Sequence, residues 1–171
     1  MIDGIHHITG LVTSPQRDYT FYTQVLGLRL IKKTVNQDNP KMWHFFYGDH
    51  DGNVGTIMTN IILEGVPMSR CEEGRGTIEA LSFSVERDSL DYWRERLSAV
   101  GYPCSDRPER FGDPVLHFRD PEGLSLELIG CDDPRVRASG RCCTPSGRPG
   151  VAQEVWAHGR QAAGFNRRNG R

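Results

Sequence analysis

Two adjacent histidines near the start of the chain, His6 and His7, and a glutamate far from them, Glu127, are the side chains best suited to carry chemistry. The run Ile5-His6-His7-Ile8-Thr9-Gly10-Leu11-Val12 reads as a strand, in which successive side chains point to opposite faces. His7, Thr9 and Leu11 then share one face, and His6, Ile8, Gly10 and Val12 the other. If Ile8 and Val12 pack beneath a helix, His7 turns to the open face with Thr9 beside it as a hydrogen-bond candidate. A neutral imidazole there suits Fe(II), Mn(II) or Zn(II), and an imidazole bonded to backbone needs no metal, so both readings stand at this point. Glu127 sits in a second alternation, with Leu126 and Leu128 facing one way and Ser125, Glu127 and Ile129 the other. A carboxylate on such a face needs a cation or hydrogen bonds to offset its desolvation.

The remaining histidines carry less. His44 lies among Trp43, Phe45 and Phe46, and His117 within Val115-Leu116-His117-Phe118; each is expected in the core, with lining of an open face as the other choice. His50 belongs to a turn, Asp49-His50-Asp51-Gly52, and is expected to be solvated, and His158 falls near the C-terminus. No glycine-rich phosphate loop, Gly-x-Ser-x-Gly elbow or HExxH helix occurs, so nucleotide-dependent and serine-hydrolase chemistry has no basis here.

The elements that position these residues come in two similar sets. After the first strand, Tyr19, Phe21, Tyr22, Val25 and Leu26 recur at near-helical spacing, and Gly27 stands where a left-handed C-terminal cap is wanted. Residues 28–35, 42–47 and 55–63 follow as strands between polar turns, giving the order βαβββ. The order then repeats: a strand over 77–85, a helix over 89–100 carrying Leu90, Trp93 and Leu97, a stop at Gly101, and short strands around Tyr102, over 114–119 and over 124–129. Val12 and Val85 lie 73 positions apart and Gly27 and Gly101 lie 74 apart, the mark of a duplicated supersecondary unit. Each unit has one helix for one sheet, so one sheet face is left for a partner. Pairing two such sheets forms a cup with the helices outside, a natural place for a small ligand. The expected fold is therefore α+β: a first module over 1–66, a second over 75–130 and a distinct tail over 131–171.

Composition bounds the partners. With 21 Lys and Arg against 22 Asp and Glu in 171 residues, the net charge is −1, and no overall field draws in nucleic acid or an anionic membrane. The apolar runs are strand-length, short of the roughly 20 residues that span a bilayer, and no basic start with an apolar core suggests a signal peptide, so a cytoplasmic protein is expected. Five cysteines without a CxxC pair are read as reduced thiols. The tail differs from the body: residues 131–171 hold eight Arg, no Lys and three acids, a net +5, with no Leu or Ile. Such a segment lacks the apolar positions that offset ordering entropy and is expected to be largely disordered; it also lacks the patterned repeats of an RNA-binding arm.

The repeated βαβββ order, the opening His-Ile-Thr strand, the Phe21-Tyr22 helix ending in Leu26-Gly27-Leu28, and the closing Asp120-Pro121-Glu122-Gly123-Leu124-Ser125-Leu126-Glu127-Leu128 together resemble the vicinal oxygen chelate superfamily. That group includes glyoxalase I, bleomycin-resistance proteins and extradiol dioxygenases. More narrowly, Ile5-His6-His7-Ile8-Thr9 and Gly55-Thr56-Ile57-Met58-Thr59 are similar to motifs of hydroquinone-type ring-cleaving dioxygenases, which have four modules. The chain looks like the N-terminal half of such an enzyme followed by an unrelated tail. The resemblance implies an Fe(II)-dependent ring-cleaving dioxygenase, or a truncated form of one, acting with O2 on a hydroquinone or catechol, with Mn(II) or Zn(II) as alternative metals. It implies His7 as a metal ligand and His6 and Thr9 as catalytic residues near the metal.

Glu127 matches a ligand position of two-module relatives, whereas in four-module enzymes the second His and the Glu come from the fourth module. Aligning the modules places Ala80 opposite His7 and Thr59 opposite Glu127, so two of the four ligand positions are empty. The alternative is a glyoxalase-like or bleomycin-resistance-like small-molecule binder. Uncovered sheet faces and edges imply a homodimer.

Overall fold

The computed structural model describes residues 5–53, 55–66 and 78–132, and the backbone of a short strand over 156–159. The first module runs β1 (His7–Val12), α1 (Pro15–Thr20), a π-helical turn (Phe21–Val25), β2 (Arg29–Val35), β3 (Trp43–Gly48) and β4 (Ile57–Ile62). The second runs β5 (Ile78–Glu86), a 3₁₀ turn (Arg87–Ser89), α2 (Leu90–Ala99), β6 (Ser105–Arg110), β7 (Asp113–Arg119) and β8 (Ser125–Cys131). The sheets have the orders β1-β4-β3-β2 and β6-β7-β8-β5, with β9 (Trp156–Gly159) antiparallel along the outer edge of β5. In both modules the first strand pairs in parallel with the last, and the others pair antiparallel. The βαβββ repeat is thus present twice, in two open mixed sheets. The expectation of a disordered tail falls almost entirely outside the described residues. Among those residues no helix is long and apolar enough to cross a membrane, and Cys104 and Cys131 are free thiols.

Local chemistry accounts for the helix ends. Ser14 accepts the Arg17 N–H at 3.4 Å and Pro15 opens α1 with a preset φ. The helix widens into a π turn, in which the Leu26 N–H reaches the Phe21 carbonyl at 3.0 Å. Gly27, at φ 77°, then ends it, where any side chain would be strained. The helices lie on the face of each sheet opposite His7 and Glu127, and Gly130 makes room for α2: a Cβ there would sit 2.6 Å from the Leu90 side chain. One strand differs from expectation. The strand after Gly101 begins at Ser105 rather than around Tyr102, because Ser-Asp-Arg-Pro-Glu-Arg is an exposed edge strand without apolar alternation.

A single apolar core joins the modules. Val12, Phe21, Tyr22, Leu26 and Phe45 from the first merge with Leu81, Phe83, Trp93, Leu97 and Phe118 from the second. Phe21 forms the seam, its ring 4.7 Å from Tyr102 and 6.4 Å from Phe118 between centroids. Polar contacts reinforce it: Arg96 donates to the Val25 carbonyl at 2.9 Å, and the Thr13 hydroxyl donates to Glu122 at 3.0 Å.

Candidate functional site

Cross-strand register sorts the first sheet into two faces. Val12, Ile62, Phe45, Tyr47 and Met58 turn to the helix and are buried, as alternation in β1 requires. The other face carries His7, Thr9 and Leu11 from β1, Thr59 from β4, and His44 and Phe46 from β3. His7 and Thr9 therefore share the open face, and both are exposed. Thr9 does not bond His7; its hydroxyl meets that of Thr59 at 2.8 Å.

His6 departs from the alternation because β1 begins at His7. Its ring swings back to its neighbour, and the two Nδ1 atoms lie 2.8 Å apart with the rings edge to face. One Nδ1 carries the proton that the other accepts; with the proton on His7 Nδ1 and His6 accepting, the Nε2 of His7 keeps its lone pair for a ligand. This is the usual way a neighbouring group orients a metal-binding imidazole. His44, expected in the core, is half-buried on the same open face. Its ring packs on Phe46 at 4.3 Å, and Phe46 lies 6.1 Å from His7, so three rings form one aromatic floor. Lys32 stands over Phe46 with its ammonium 5.6 Å from the centroid. Burial, with the nearby charges of His7 and Lys32, lowers the His44 pKa, so this imidazole stays neutral at pH 7. The signal for His44 was the alternation Trp43-His44-Phe45-Phe46-Tyr47, in which Phe45 and Tyr47 claim the core.

The corresponding face of the second sheet is arranged differently. Glu127 is 3% exposed and aligned with Ser82 and His117 on neighbouring strands. Its carboxylate accepts the Ser82 hydroxyl at 2.7 Å and the Arg110 guanidinium at 2.8 Å. The guanidinium supplies the counter-charge and the serine a hydrogen bond, and together they offset its desolvation without a metal ion. His117 lies between Ser125 at 3.1 Å and Ser105 at 3.5 Å, and burial, together with Arg107 and Arg119, lowers its pKa. Ala80 is buried on this face, next but one to Ser82.

The ring contacts of His7 are with His6 and Phe46, while the bonds of Glu127 are within its own module. Among the described residues no three His, Cys, Asp or Glu side chains cluster to hold a metal ion. A 2-His-1-carboxylate iron site needs three such ligands. The described residues fit one ligand, His7 held by His6, and do not by themselves fit a complete metal centre.

Comparison with known proteins agrees with the repeat. The chain is 41% identical over 127 residues to a Bacillus subtilis (strain 168) protein named ring-cleaving dioxygenase MhqE, covering 74% of this chain and 41% of that protein. It is 32% identical over 133 residues to a chlorohydroquinone/hydroquinone 1,2-dioxygenase of Sphingobium indicum, covering 77% of this chain and 41% of that enzyme. A crystal structure described as a dioxygenase from Bacillus subtilis superimposes with a TM-score of 0.77 at 36% identity, over 88% of this chain and 47% of the other. The chain thus spans less than half the length of each of these relatives. Residues 4–128 match the family directly, and the chain belongs to the Glyoxalase/Bleomycin resistance protein/Dioxygenase superfamily.

Proposed function

We propose that this chain is the N-terminal module pair of a ring-cleaving dioxygenase acting with O2 on a hydroquinone or catechol in the cytoplasm. The open face of the first sheet is its working surface. The observation that carries the reading is the His6–His7 pair beside the Phe46 and His44 rings. Here a positioned imidazole adjoins mutually tilted aromatic rings on which a phenolic ring can pack. The relatives' names supply the reaction class. His7 would give one ligand to an Fe(II) site, with Mn(II) or Zn(II) as alternatives, and bound metal would hold substrate oxygen and O2 together. The chain's own residues do the rest. His6, as acceptor, would hold the Nδ1 proton of His7, the Thr9–Thr59 hydroxyl pair offers a proton relay beside it, and neutral His44 closes the far side of the floor. Glu127, already occupied by Arg110, lies outside this set.

One imidazole needs ligands from elsewhere, so the reading includes association of two chains or the remainder of a longer protein over the exposed face. Iron bound per chain after anaerobic purification tests it, together with sedimentation at micromolar concentration. Tight Fe(II) lost in His7→Ala, retained in Glu127→Gln and accompanied by a dimer supports the reading. Joint loss in both variants would place Glu127 in the same centre. No divalent metal in any form, with aromatic ligands still bound, would replace the enzyme by a small-molecule binder.

A further inference from the structure

Two further buried carboxyl groups lie between the modules rather than on either outward face. Asp18 of α1 is 3% exposed, and Asp120, in the turn between β7 and β8, is 6% exposed. The Tyr47 hydroxyl donates to Asp18 Oδ2 at 2.6 Å and the Asn60 amide to Oδ1 at 2.6 Å. The Tyr22 hydroxyl donates to Asp120 Oδ2 at 3.0 Å, while Asp120 Oδ1 takes the N–H groups of Glu122 and Leu124 at 2.9 and 2.8 Å. The Tyr22 and Tyr47 rings stack, 5.0 Å between centroids, linking the two carboxylates into one network. The other titratable groups facing this network are Glu122, which accepts from Thr13, and Tyr19 and Tyr102 at its edge. Arg17, the cation at this contact, donates to the Pro121 carbonyl instead of either aspartate.

We propose that Asp18 and Asp120 form a proton-responsive joint: with a proton on Asp18 the modules dock firmly, and with Asp18 ionised the like charges of Asp120 and Glu122 loosen the contact. Three buried or half-buried acids without a basic hydrogen-bond partner at either aspartate make the ionised state costly. Burial pushes the Asp18 carboxyl up to about 6, with Tyr47 and Asn60 opposing and Asp120 and Glu122 adding to the rise. Asp120 is raised as well, chiefly by burial. Asn60 Oδ1 is buried without a hydrogen-bond partner, so turning the amide end for end lets a protonated Asp18 donate to it. Because the folded value lies above the ordinary 3.8, this stabilisation is complete below about pH 4 and is lost as the pH rises through 6. A shift of about two units corresponds to about 100-fold in the folding equilibrium. None of these residues lies on the open face, so the joint stands apart from the dioxygenase reading.

Carboxyl-carbon NMR titration of the full chain tests it, with Asp120→Asn as the cross-module probe. The Asp18 midpoint is expected near 6 in the parent and lower in Asp120→Asn, because one repelling charge is gone. Amide exchange at Glu122 and Leu124 is expected to accelerate between pH 5 and 7 beyond its intrinsic pH dependence, and to lose that excess in Asp18→Asn. A parent midpoint near 3.8, an unchanged midpoint in Asp120→Asn, or equal exchange in parent and Asp18→Asn each overturns the joint.

Discussion

The two sheets are built to one plan and finish their outward faces in opposite ways. In the first, His7 and Thr9 stand exposed and His44 keeps an imidazole nitrogen without a partner. In the second, Glu127 is closed off by Ser82 and Arg110, and His117 is held between two serines. Duplication copies backbone, pairing and helix placement, because those depend on apolar positions common to both units. It does not copy the chemistry, which rests on a few outward residues free to differ. A face whose polar groups satisfy one another supports the fold, and a face that leaves imidazoles available is where a ligand can gain most.

Substitutions in each region can break or sharpen this contrast. The largest effect is expected where the regions merge: Phe21→Ala empties a fully buried site between Tyr22, Tyr102 and Phe118 and should cost about 4 kcal/mol in chemical denaturation. A loss below about 1 kcal/mol would mean that the modules are stable separately. Arg110→Ala strands a buried carboxylate with one serine and should cost about 2–3 kcal/mol by the same measurement. Phe111→Asn should add up to about 1 kcal/mol. Phe111 is fully exposed at φ 55° and precedes Gly112 at φ 87° in a two-residue turn of the kind that favours Asn-Gly. His7→Ala, on the open face, should change stability by less than about 0.5 kcal/mol, because few buried contacts are lost. A large loss there would make His7 structural and erase the contrast.

Much of this architecture was legible in the residue order. Ile8 and Val12 assigned the faces of β1, Gly27 and Gly101 marked both helix ends, and the 73–74 residue offset showed the duplication. What escaped depended on contacts that periodicity cannot encode. β6 has no apolar pattern because both its faces are wet. The His6 contact with His7 depends on the residue at which pairing starts. The Arg110–Glu127 pair spans a hairpin whose register shifts between Arg107 and Arg110. Asp18 belongs to the polar stretch that follows β1, and its burial depends on contacts with Tyr47 and Asn60, distant in sequence.

The parallel pairing of β1 with β4 has a kinetic consequence. Thr9 meets Thr59 across 50 residues of chain, and every other pairing in the first sheet joins strands nearer in sequence. β2, β3 and β4 can zip as a local meander, whereas β1 is added only after its partner exists. At a synthesis rate of about 5–20 residues per second, the His7 strand waits about 3–10 s on the ribosome before its neighbour emerges. During that interval its ladder groups are an unpaired edge, open to any strand that arrives first. The surface that carries the imidazole is therefore the last part of its module to form and the part most exposed to mispairing while it forms.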